Sequence, residues 1–195
     1  MRINTHNLAK KGFTLIELIV VITVIAILST IGVVSFVSYS RSQVLNQTTL
    51  DLVQVLNTAK SLSAAQLTVS DKNGVSKGCS ALSNETLSGY GVRLYQVLAN
   101  GKTLGYYKLY IECVANGVEI QYPDLSGSDW QTNLPSDVTF DTPATNISDV
   151  FFPVLSGGVL ITGTSGSANP DTIALISYRN TKTIKFTNGI ISISQ

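Results

Sequence analysis

From Leu18 to Ser40 the chain carries no charged residue, and Ile, Val and Leu dominate the run. Roughly 20 apolar residues in helical form cross a bilayer core, so the pattern predicts a membrane-spanning helix over 13–40. The pattern then changes. Leu52, Val55, Leu56, Ala59 and Leu62 recur at three- and four-residue spacing, with Asp51, Gln54, Asn57 and Lys60 between them. This predicts an amphipathic helix over 41–66 whose apolar face meets a sheet. Residues 69–87, rich in Ser, Lys, Asn and Gly, read as loop.

Beyond that loop, period-2 alternation takes over. Tyr90, Val92 and Leu94 share one strand face; Tyr107, Leu109, Ile111 and Cys113 share another, with Lys108 and Glu112 opposite. Asn100-Gly101 and Asn116-Gly117 are hairpin turn signals, the second leading into Val118, Ile120 and Tyr122. Further strands are expected at 138–140, 150–155, 159–162 and 173–178, then a closing hairpin of 182–187 and 190–194 around Asn188-Gly189. The stretch 163–170 is a polar loop without the Gly-Lys-Ser/Thr ending of a phosphate loop. The expected fold class is therefore α+β: a long N-terminal helix packed on an antiparallel β-rich domain over 67–195.

Charge orients the chain. Arg2, Lys10 and Lys11 precede the apolar run and only Arg41 closely follows it, which places the N-terminus in the cytoplasm and the domain outside. Of 13 basic and 12 acidic side chains these three basic ones lie before Phe13, so the remainder is close to neutral. Nothing in it suggests a nucleic-acid footprint. The sole histidine is His6, ahead of the run, which leaves the rest of the chain without His-based triads or the usual catalytic zinc sites. No enzyme activity, cofactor or metal is expected. Asp124, Asp129, Asp137, Asp141 and Asp149 lack EF-hand spacing and read as solvated loop acids. Cys79 and Cys113 both fall on the outer side, where disulfides persist; a pair of buried free thiols is the alternative.

One charge interrupts the start of the apolar stretch: Glu17, in Lys11-Gly12-Phe13-Thr14-Leu15-Ile16-Glu17-Leu18. A carboxylate there is costly in lipid without a partner. These residues resemble the processing motif of type IV pilins and type II secretion pseudopilins. The resemblance covers about 30 residues and implies cleavage by prepilin peptidase between Gly12 and Phe13, with 1–12 as leader. It also implies N-methylation of Phe13 and an assembly role for Glu17, facing the N-terminal amine of a neighbouring subunit. An ordinary signal peptide has a shorter apolar region, roughly 7–15 residues, followed by its cleavage site; a plain anchor leaves Glu17 unexplained. Many relatives carry proline where this chain has Val34. The tail Thr172–Ser194 is similar to the close of H-type minor pseudopilins.

The resemblance thus implies a pilin-like fold and a structural subunit of a type II secretion-type pseudopilus. Its partners would be prepilin peptidase, other pilin-like subunits in a homo- or hetero-oligomeric filament, the membrane and the inner-membrane assembly platform. A type IV pilin for adhesion, motility or DNA uptake is the alternative. A membrane-anchored extracytoplasmic binding module is the alternative of another class, with Tyr90, Tyr95, Tyr106, Tyr107 and Tyr110 as its ligand surface, although half-buried strand aromatics are the favoured reading of these five residues.

Overall fold

The computed structural model describes residues 12–66, 69–70, 76–77, 79, 84–122, 130–142, 145, 147–156, 158–163, 172–187 and 189–194, with the side chains of 30–35, 69–70 and 76–77 left aside. The leader before Gly12, Asp124, Asp129, Asn188 and the loop beyond Gly163 lie outside this set. The chain divides into two compact units, Met1–Ser40 and Arg41–Gln195. Helix α1, Leu15–Ala65, contributes to both.

In the second unit, α1 buries Leu45, Thr49, Leu52, Leu56, Ala59 and Ser63. Alternating four- and three-residue steps keep these on one stripe. Val55 and Leu62, expected on that stripe, only flank it. Two hydroxyls take core positions because each is bonded: Thr49 Oγ1 donates to the Leu45 carbonyl at 2.8 Å, and Ser63 Oγ donates to the Phe152 carbonyl at 2.6 Å.

The strands follow in antiparallel order. β1 (Val69–Ser70) and β2 (Ser76–Lys77) pair with each other within the stretch expected to be loop. β3 (Thr86–Ala99) and β4 (Lys102–Ala115) form a long hairpin. β5 (Val118–Tyr122) and β6 (Gln131–Asn133) share the outer edge of β4; β8 (Ile147–Pro153) pairs with β3, and β9 (Leu160–Gly163) with β8. A second sheet runs in the order β12 (Ile190–Ser194), β11 (Asn180–Thr187), β10 (Thr172–Ser177), β7 (Thr139–Phe140).

The turn residues adopt the backbone their chemistry favours. Asn100 and Gly101 (φ 52° and 74°) and Asn116 and Gly117 (φ 53° and 81°) are all left-handed, as a two-residue hairpin turn with both central φ positive requires. Strand β8 starts at Ile147 rather than Val150, three residues earlier than alternation suggests, because a register irregularity between Ile147 and Asp149 breaks the period. Strand β6 has no apolar alternation to announce it.

One core joins helix and both sheets. Tyr90 and Val92 of β3, Tyr107, Ile111 and Cys113 of β4, and Val150 and Phe152 of β8 meet the α1 stripe, as do Ile173, Leu175, Ile184 and Phe186 of the second sheet. The sheet formed around β3 and β4 is buried on its other face too. Gly91 lies under Tyr110: an added Cβ would stand 2.1 Å from the Tyr110 ring. Tyr110 and Phe151 stack across it with ring centroids 6.3 Å apart.

Candidate functional site

The N-terminal junction is built by a helix start. Gly12 has open space around it, and Phe13 is 81 % exposed. Thr14 caps α1: its carbonyl accepts the Leu18 N–H at 3.2 Å, and its Oγ1 accepts the Glu17 N–H at 3.3 Å. Thr14-x-x-Glu17 is a capping-box spacing, a signal not read from the sequence. Glu17 in the first turn also sits favourably at the positive end of the helix dipole. Phe13 and Glu17, four residues apart, flank that first turn. Gly12, Phe13 and Glu17 are thus an accessible peptide bond, an exposed ring and a carboxylate on a preformed helix end.

Every described side chain of α1 from Leu15 to Ser29 is exposed, including Leu15, Ile16, Ile19, Ile22, Ile25 and Leu28. A contiguous apolar surface of this extent marks a binding surface for lipid or for other chains. Among the described residues no helix is long and apolar enough to cross a membrane.

In the second unit the structure brings Cys79 and Cys113 together as a disulfide with Cα atoms 5.4 Å apart. Cys113 is fully buried on β4 between Leu87 of β3 and Ile120 of β5. The bond therefore ties the segment before β3 to the centre of the sheet.

A polar network missed from the sequence crosses the sheet face that holds Tyr110. Arg93 Nε donates to Asp149 Oδ2 at 2.7 Å, and Tyr110 Oη donates to Asp149 Oδ1 at 3.0 Å. Glu112 accepts from Ser88 Oγ at 3.1 Å and from Gln121 Nε2 at 3.2 Å. Asp149 is thus a buried strand residue, not a solvated loop acid. Burial pushes its carboxyl above the usual range, against the bonds from Arg93 and Tyr110 that pull it down. Burial, followed by the Asp149 charge, drives the Tyr110 phenol far above its ordinary value. No sequence signal joins Arg93 to Asp149, which are 56 positions apart; only the β3–β8 register does. The network locks β8 beside β3. Among the described residues no group of His, Cys, Asp or Glu is placed to hold a metal ion. Tyr90, Tyr107 and Tyr110 are buried. Of the five hairpin tyrosines only Tyr95 and Tyr106, stacked at 4.8 Å, keep partial exposure.

A long N-terminal helix, capped at Thr14 with Glu17 in its first turn, and the antiparallel β domain that follows are consistent with a pilin-like fold. A family model described as the prokaryotic N-terminal methylation motif matches residues 7–33. The match supports a type IV pilin-like or pseudopilin-like protein, a class that is structural rather than enzymatic, processed by prepilin peptidase and assembled with other pilin-like subunits. No curated protein and no solved structure matches the chain.

Proposed function

We propose that this chain is a minor pseudopilin-like subunit of a type II secretion-type filament, held in the cytoplasmic membrane by residues 13–40 until assembly. The observation that carries this reading is Gly12-Phe13 followed by Glu17 and an uncharged run to Ser40. That run is longer than the roughly 20 residues a bilayer core needs. The minor-pseudopilin assignment rests on the sequence resemblance of the tail Thr172–Ser194 to the close of H-type minor pseudopilins. Cleavage after Gly12 exposes the Phe13 amine, which N-methylation leaves basic. Glu17 of one subunit then pairs with Phe13 of its neighbour. A pair within one subunit would exist equally before assembly and could not drive it.

The test is incorporation. Glu17→Ala and Glu17→Gln should both insert in the membrane yet crosslink to other pilin-like subunits far less than wild type. Wild-type crosslinking by both variants would remove Glu17 from assembly. A protein never found with other pilin-like subunits would favour an anchored binding module.

A further inference from the structure

At the place where the chain enters the second unit, two arginines converge on one tyrosine. The Arg41 guanidinium lies 4.8 Å from the Tyr178 ring centroid, and that of Arg179 lies 5.8 Å from it. Tyr178 and Arg179 are the two-residue turn between β10 and β11, whose last register pair is Ser177 and Asn180. Tyr178 is 73 % exposed, and its φ of 59° is a left-handed backbone that bulky residues avoid. Glycine or asparagine would relax this turn. The chain instead holds an exposed ring there in a strained conformation, a pattern that marks functional positions. Two like charges gathered on one ring repel each other. Among the described residues neither has a carboxylate partner, so an anion is the missing component.

The position of Arg41 says which anion. It is the first charged residue after the uncharged run. With Glu17 at the cytoplasmic boundary, a core of about 30 Å takes roughly 20 helical residues and ends near Val37. Arg41 then stands about 6 Å further along α1, within the headgroup layer of roughly 5–7 Å. Tyr39, 63 % exposed, precedes it by two residues. Tyrosines and arginines are the side chains that anchor proteins at this depth. Arginine also takes a phosphate in bidentate fashion.

We infer that Arg41, Tyr178 and Arg179 form a docking surface for the headgroups of anionic phospholipids, seating the tip of the β10–β11 hairpin on the extracytoplasmic leaflet before assembly. This rests on the membrane-anchored reading of residues 13–40.

The experiment is amide hydrogen exchange on the full-length protein in liposomes of phosphatidylcholine alone and of phosphatidylcholine with phosphatidylglycerol, at low salt. The amides from Ile176 to Thr181 should exchange about five- to twenty-fold more slowly in the anionic liposomes. Those of the Asn100-Gly101 turn, as an internal control, should not change. Arg41→Gln with Arg179→Gln should abolish the difference without moving the urea midpoint. Equal exchange at the tip in both liposomes overturns the inference, as does slowing that survives the double variant. Slowing that follows the protein-to-lipid ratio instead of lipid charge identifies a neighbouring copy as the occupant and overturns it as well. Extraction of the protein by alkaline carbonate overturns the anchor and the inference together. Carbonate resistance with unchanged tip exchange overturns the inference alone.

Discussion

Replacing both Cys79 and Cys113 with alanine should loosen the second unit without changing its fold. The cysteines are 34 positions apart. In the chain-entropy treatment, closing a loop of that length removes about 12.6 cal/mol/K from the unfolded chain, or about 3.8 kcal/mol at 25 °C. With a urea slope of about 2 kcal/mol/M, the midpoint should fall by about 1.9 M. Trp130 is the sole tryptophan and packs partly buried against the core, so its fluorescence reports unfolding of this unit in the full-length protein in detergent. Wild type with reductant supplies a second arm, which leaves both side chains in place and should show nearly the same shift. Two outcomes would refute the reasoning: a midpoint unchanged in both arms, or two alkylatable thiols in protein taken from its native envelope.

Two further perturbations address the second face of the main sheet. Gly91→Ala would push a methyl group into the Tyr110 ring, 2.1 Å away, and should destabilise by about 1–3 kcal/mol, read as a lowered urea midpoint; a neutral result would mean the ring moves freely. Tyr110 has a folded-state pKa raised by burial first and the Asp149 charge second. Above about pH 10, where an unfolded tyrosine ionises, the native state holds the extra proton. Stability should therefore fall as pH rises through that region. Tyr110→Phe should make the fall shallower, and an identical pH profile would contradict the assignment.

Much of the architecture is legible in the chain because local chemistry and global fold agree at those points. The Asn-Gly pairs at 100–101 and 116–117 need left-handed backbone and have it. The alternation of Tyr107, Leu109, Ile111 and Cys113 gives the face of β4 that meets the core, whereas the burial of Lys108 and Glu112 on the opposite face is not announced by it. What stays hidden is long-range pairing. Alternation suggests a strand over 150–155, but not that the observed Ile147–Pro153 strand lies against β3, nor that β10, β11 and β12 leave the main sheet to form a second one with β7. The Arg93–Asp149 pair exists only through that register. On the helix, Thr49 and Ser63 are polar and carry no apolar signal, yet a hydroxyl bonded to a carbonyl is at home in a core. Residues 13–17 are legible as a motif, while the cap made by Thr14 is not, because Glu17 stands out in the apolar run by its charge rather than by its spacing from Thr14. The Arg41–Tyr178–Arg179 cluster joins positions 137 residues apart through the hairpin tip, beyond the reach of any local pattern.

The proposed role depends first on processing at Gly12-Phe13. The measurement is the intact mass and N-terminal sequence of the protein isolated from its native host, where the peptidase is present. The expected result is a chain beginning at Phe13 and carrying one methyl group on its amine, with Gly12→Leu retaining the leader. A wild-type chain from that host that still begins at Met1 would contradict it.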